Sequence, residues 1–349
     1  MPVVAACAGA PTDPSTASPT ALPPPASTSP GDTSPPASPT PTPRPTPDPL
    51  VPVALPIREF IALDGTVVLG LDASYLPVLY DLVDHTLQPV LAGPDPMLGA
   101  LSERVLVGAV LSTNGKRNLP FALDRATGSP VDLDLGRVRE GWAHAADGPL
   151  VVGSVIGADA VFVHDLDTGR TRRLDFLDGE DRIGIAALDG SRMAGTFGMW
   201  DAEQAWAYDL ETGLEIDLHG LLGGSNSWAH DVDGDLVVGA VETPRTWEHR
   251  AFVYDVVSGS VIDLAQALGG YGDAMGVDGA LVVGTLREED RGRAFVHDLD
   301  GGLTTFLPGL PQPGVDPSRI STGALAIEGR FVVGWSGKTI VAWDLSALP

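Results

Sequence analysis

Two pairs of residues carry the first hint of chemistry in this sequence. Trp142 and His144 stand two apart, and so do Trp228 and His230. In an extended strand residues two apart share a face, so each pair would set an indole beside an imidazole. Indoles stack on sugars and peptides, and an imidazole adds a group able to exchange protons near neutral pH. A second group lies between Arg245 and Arg250 and comprises Trp247, His249 and Arg250, while a further indole, Trp200, sits between Met199 and Asp201. Tryptophan flanked by charge has the composition of an interface anchor. Packing between repeats is the blander reading, and it fits His164 and His297 best, because they fill one strand position in two repeats.

Several chemistries have no residues to support them. The one cysteine, Cys7, and the lack of a His-Glu-x-x-His helix leave no usual zinc site. No Gly-x-Ser-x-Gly elbow or Walker loop occurs, and the Gly270, Gly272, Gly276 run opens no helix. The carboxylates of Asp231, Asp233 and Asp235, and those of Asp178 to Asp181, lack the length and terminal glutamate of a calcium loop and read as turns. No metal and no cofactor is expected. A net charge of −25, with Lys116 and Lys338 the sole lysines, argues against nucleic acid and anionic membranes as partners.

These residues are positioned by a repeat. Seven short apolar strands end in Gly70, Gly108, Gly153, Gly195, Gly239, Gly284 and Gly334, and seven following strands end in Asp81, Asp124, Asp165, Asp209, Asp255, Asp298 and Asp344. A period of roughly 44 residues repeated in this way is the mark of a blade-per-repeat architecture. Each repeat reads as four strands, a to d. Between a and b stands an acidic-Gly pair, as at Asp233-Gly234, expected to form a two-residue turn with positive φ at both residues. Only the second repeat, at Ser102-Glu103, departs from it. Between c and d stands Asp-x-x-x-Gly, in which the carboxylate accepts backbone N–H groups ahead of it.

The expected fold is therefore all-β, a seven-bladed β-propeller of four-stranded antiparallel blades over residues 50–349. The last repeat lacks strand d, and the orphan strand Leu50 to Leu55 is expected to close the ring as the outermost strand of that blade. Strands alternate in direction, so the short a–b and c–d turns share one face and the variable b–c and d–a loops share the other, which is the expected interaction surface. Residues 8–49, rich in Pro, Ser and Thr, read as a disordered tether with a reach on the order of 100 Å. Residues 1–7 read as the remnant of a signal.

Two resemblances add to this reading. The run Ala251-Phe-Val-Tyr-Asp255, Gly259, Leu268-Gly-Gly270, Ala274 and Val282-Val-Gly284 resembles the bacterial HAF repeat, and the strand order resembles kelch repeats with one glycine in place of two. That likeness implies an extracytoplasmic propeller and brings no activity with it. Val4-Ala-Ala-Cys7 resembles the lipobox of bacterial lipoproteins, which implies a lipid on Cys7, although only six residues precede it. The expected function is a monomeric, surface-tethered module that binds an extracellular protein, peptide or glycan, with the membrane touched only through Cys7. The alternative is a hydrolase or lyase acting on polysaccharide or peptide at the channel mouth, for which the sequence identifies no acid–base pair.

Overall fold

The computed structural model describes residues 50–90, 96–112, 115–136, 140–156, 160–174, 183–198 and 202–348. Cys7, the tether, Trp200 and the Asp178–Asp181 group lie outside them. The described chain forms seven four-stranded antiparallel sheets, one per repeat, and is a seven-bladed β-propeller. Blade five shows the plan: strand a Ser227–Asp233, b Leu236–Glu242, c His249–Asp255 and d Ser260–Asp263. In blade seven the order is Val53–Ala54, Thr339–Asp344, Phe331–Ser336, Thr322–Glu328. Val53 lies opposite Ala342, Ala54 lies opposite Val341, and the Leu55 N–H donates to the Ile340 carbonyl at 2.9 Å.

The apolar core lies between blades. Val237, Phe252 and Tyr254 of blade five pack on Ala194, Ala205 and Ala207 of blade four, while Val238 and Val253 pack on Val277, Val282 and Phe295 of blade six. Alternation along strand b makes this possible, since Val237 and Val238 point to opposite faces. The two histidines at one strand-c position belong to this packing. His164 and His297 are almost fully buried, and each Nδ1 bonds the threonine directly opposite on strand d, Thr171 or Thr304, at 2.8 Å.

One local feature recurs in every blade. Strand a carries a β-bulge in which Ile61, Gly99, His144, Ala186, His230, Met275 or Leu325 is the extra residue. A bulge places two residues opposite one and bends its strand. It also explains the seven glycines of strand b. A Cβ at Gly239 would meet the Trp228 carbonyl well inside 3 Å and the Phe252 ring at 2.9 Å, and the equivalent glycines each face a strand-a carbonyl in the same way.

The turns separate into two kinds. In the c–d turns the carboxylates accept N–H groups two and three residues ahead, as Asp255 does from Val257 and Ser258, and the glycines have φ of 64–72°. These bonds hold the Asp255 carboxyl below its usual range. The a–b turns differ from the sequence expectation. Only the glycine has positive φ, and in blade five Asp233 pairs with Leu236 as the last strand residue, so the turn is Gly234-Asp235. This is the pattern of a type II′ hairpin with glycine first. The carboxylate is left free to reach across. Asp147, Asp189 and Asp233 each accept the turn-glycine N–H of the next blade, from Gly190, Gly234 and Gly279, at 2.6–2.8 Å, and Asp278 accepts that of Gly329.

Candidate functional site

The bulge decides which residues meet. Register places Trp228 opposite Ala240 and Asp231 opposite Val238, so both lie on the face of strand a turned toward blade six. The inserted residue, His230 here and His144 in blade three, has no partner opposite it on strand b. His144 bonds the Oγ of Ser154, the residue directly opposite Trp142, at 2.7 Å, so this pair does share a side of the strand, and burial pushes the His144 pKa down to about 4. The Trp142 indole lies against the bulge glycine of blade two, Gly99.

On the loop face between blades five and six a polar network assembles. The Trp228 Nε1–H donates to Glu203 Oε2 at 2.6 Å, and the indole stacks on His249 with centroids 4.8 Å apart and planes 26° apart. His249 Nδ1 bonds Asp273 Oδ1 at 2.7 Å, and the Arg287 Nε–H donates to Asp273 Oδ2 at 2.7 Å. Burial pushes the Asp273 carboxyl upward, but the His249 hydrogen bond and the Arg287 guanidinium outweigh it and hold it below its usual range. Both oxygens of Asp273 are thus used. The pairing fixes the ring of His249, and among the described residues its Nε2 has no hydrogen-bond partner. An imidazole oriented by a carboxylate in this way can exchange a proton with a bound molecule.

Beside this network lie exposed anchors. Trp247 is 67% exposed, and both it and Arg245 hold positive φ, 60° and 77°. A bulky side chain in that region is a strained exception that clusters at functional sites. Tyr271 is also exposed and its carbonyl accepts the Arg287 N–H. Arg250 stands apart, paired with Asp263 of strand d at 2.7 Å on the outer part of the blade.

Sequence reasoning passed over Asp273, Glu203 and Tyr271. A signal existed. Asp273 holds the strand-a position filled by Trp142 and Trp228 in blades three and five. Asp231 is a second departure of this kind. The residue after the bulge is Ala62, Ala100, Ala145, Ala187, Gly276 or Ala326 in the other blades, and only blade five places a carboxylate there. Departures from a repeat's own rule are where function is to be sought.

The channel holds a cavity of about 340 Å³ that runs from the level of the bulges to the short-turn face. His230, Asp231 and Met275 border it, and Asp64, Asp147, Asp189, Asp233, Asp278 and Glu328 surround its mouth. Blade two contributes Leu101 at that level, and the Arg125 guanidinium bonds Asp64 at 2.8 Å. Among the described residues no group of three or more His, Cys, Asp or Glu side chains is placed to hold a metal ion, and no helix is long and apolar enough to cross a membrane.

No protein-family model matches the sequence, and no curated protein is similar to it. Solved structures are similar in fold. TolB from Acinetobacter baumannii is 20% identical with a TM-score of 0.44; the match covers 67% of this chain, which spans 60% of the length of that one. A chain of a mitotic checkpoint complex is 12% identical with a TM-score of 0.52, covering 89% of this chain and 96% of that one. The β-propeller domain of the Trilobed protease from Pyrococcus furiosus is 12% identical, also with a TM-score of 0.52, covering 81% and 91%. Identities this low establish shared architecture, and that architecture is the β-propeller.

Proposed function

We propose that the chain is an extracytoplasmic binding module whose loop face, between blades five and six, captures a protein, peptide or glycan. The observation that carries this reading is the exposed, left-handed Trp247 beside the Trp228–His249–Asp273–Arg287 network. An apolar platform next to a fixed set of donors and acceptors is how such surfaces obtain both affinity and orientation. Attachment through a lipid on Cys7 and the Pro-rich stalk completes the proposal. Glycan and peptide arrays probed with the full chain test the surface. Ligands that lose binding in both Trp247→Ala and Asp273→Asn support it; ligands held equally by both variants overturn it. Radiolabelled fatty acid incorporated by the full chain but not by Cys7→Ser tests the anchor.

The His249–Asp273 pair favours one further reading, in which the same surface turns over a polysaccharide or peptide with His249 as the general acid or base. New reducing ends or amino termini, released by the wild type and not by His249→Gln, would establish it. Binding without release by either form would leave the module reading alone.

A further inference from the structure

The outer wall of the ring carries an anomaly that neither the loop face nor the channel explains. Strand d, the outermost of each blade, is Val53–Ala54, Leu87–Pro89, Pro130–Val131, Glu215–Asp217, Ser260–Asp263 or Leu303–Phe306 in six blades, and none of these contains a cation. In blade three it is Arg170–Leu174, the longest outermost strand among the described residues, and reads Arg-Thr-Arg-Arg-Leu. All three arginines are exposed. The carboxylates of the adjoining turn are committed elsewhere. Asp165 accepts the N–H groups of Asp167 and Thr168, and Asp167 pairs with Arg104 of blade two at 2.7 Å. Arg172 donates to the Leu210 carbonyl of blade four at 3.1 Å, and among the described residues Arg170 and Arg173 have no side-chain partner.

The strand is open along its backbone as well. In the neighbouring blades the residue after the c–d turn accepts the N–H of the turn aspartate, Ser129 from Asp124 and Leu214 from Asp209, both at 2.9 Å. Arg170 holds the same register against Asp165, so alternation turns the N–H and C=O of Thr171 and Arg173 away from strand c. Among the described residues no fifth strand covers them. Proteins keep such edges from pairing by shortness, proline or charge. Pro89 and Pro130 serve that purpose in blades one and two, and Glu215, Asp217 and Asp263 in blades four and five. Charge, however, guards an edge only against its like. On a chain of net charge −25 other copies present mainly carboxylates, so three arginines here attract where a guard would repel.

We propose that strand d of blade three docks an extended acidic segment of a partner protein, which adds to the blade as a fifth strand. The outward N–H and C=O groups of Thr171 and Arg173 bond its main chain, and the guanidinium groups select its side chains. Arg172 and Arg173 are consecutive and project from opposite faces of the sheet. Arg172 lies opposite Val163 on the side of blade four, and Arg173 lies opposite Phe162 on the side of blade two. The added strand therefore meets a cation on each of its faces, which calls for acidic residues in succession and not in alternation. A bare anion would use the charge and leave the backbone groups idle, so the open edge selects a peptide. The overall charge opposes a long polyanion, whereas a short acidic segment senses chiefly the local arginines within a screening length. This surface lies outside the loop-face reading and does not depend on it.

The probe is a fluorescein-labelled hexapeptide, Val-Glu-Glu-Val-Glu-Val, followed by anisotropy as the full chain is titrated in at constant ionic strength. The expected result is saturable binding, weakened about tenfold in Arg170→Glu and in Arg173→Glu and changed less than about twofold in Arg319→Glu, which reverses an exposed cation in the d–a loop of blade six. The same peptide N-methylated at every residue keeps its charge and loses its donors, and should bind about tenfold more weakly. Each substitution alters an exposed side chain, and the methylated peptide tests the edge with no change to the protein. No saturable binding by the wild type would overturn the proposal. Equal binding of the methylated peptide would also overturn it and reduce the strand to a charged patch. Wild-type dimers in sedimentation that dissociate in Arg173→Glu, without peptide binding, would make the edge a contact between copies instead.

Discussion

Gly239→Ala and Gly259→Ala make one change of composition and should differ sharply in cost. Gly239 has ordinary backbone, but an added Cβ would meet the Trp228 carbonyl well inside 3 Å and the Phe252 ring at 2.9 Å. Relief needs about 1 Å of movement by the strand-a backbone at Trp228, and overpacking of this severity costs about 3 kcal/mol. Gly259 has φ of 69° and nothing within 4 Å of the new atom, so alanine there pays only for left-handed backbone, about 1 kcal/mol. At roughly 2 °C per kcal/mol for a domain of this size, the thermal midpoint should fall about 6 °C for the first variant and about 2 °C for the second. Circular dichroism melts at pH 7.5 measure both. Equal shifts, or a Gly239→Ala protein as stable as the wild type, would mean that the bulge does not demand glycine and that the repeat's glycines serve something else.

Leu55→Ala removes a nearly buried side chain from the strand paired with blade seven and should cost about 2–3 kcal/mol in urea; a loss below about 0.5 would show that this strand does little to hold the ends together. Asp231 sets a pH dependence whose sign can be worked out. Its carboxyl titrates at 3.8 unfolded and about 7 folded, so the folded chain keeps a proton that the unfolded one has lost. Its contribution to stability therefore declines as pH rises from about 4 to 7 and is flat above, and the difference in thermal midpoint between wild type and Asp231→Ala should follow that window. Asp273→Ala leaves His249 Nδ1 and the Arg287 guanidinium without their acceptor and should cost roughly 3 kcal/mol, with a changed near-ultraviolet signal from Trp228 as its stack loosens. Thr304→Val takes away the partner of buried His297 and should cost about 1 kcal/mol while ligand capture is unchanged.

The blade count, the strand order and both turn positions could be read from the letters because glycine and aspartate mark backbone events directly. A glycine is placed where no Cβ fits, as at Gly239, or where φ is positive, as at Gly259. The bulge was not legible. Its inserted residues range from Gly99 to His144 to Leu325 and share no chemical type, since what defines them is register with the next strand. The a–b carboxylates look like local turn residues in the sequence, whereas they close gaps between blades. The loop-face network was half visible. Trp228, Trp247 and His249 stood out by type, whereas Asp273 and Arg287 sit one blade further on and became neighbours only through the packing of two repeats. Asp231 reads as one of a run of turn carboxylates in the sequence, and its departure from the repeat emerges only beside the alanines and the glycine at its own position in the other blades.

The carboxylate-to-glycine links between blades give the propeller a grain. They run one way round, from blade three through to blade seven, and then stop: no such link joins Glu328 to Gly65, and blade two has neither the acid nor the glycine. Five blades are laced at their inner rim, while the arc made of blades one and two is fastened mainly by side-chain packing and by the Arg125–Asp64 and Arg104–Asp167 contacts. Amide exchange should therefore be fastest across that unlaced arc, which adjoins the place where the first and last strands of the molecule meet. Breathing confined to one side would let the channel widen and recover without the other five blades losing their alignment.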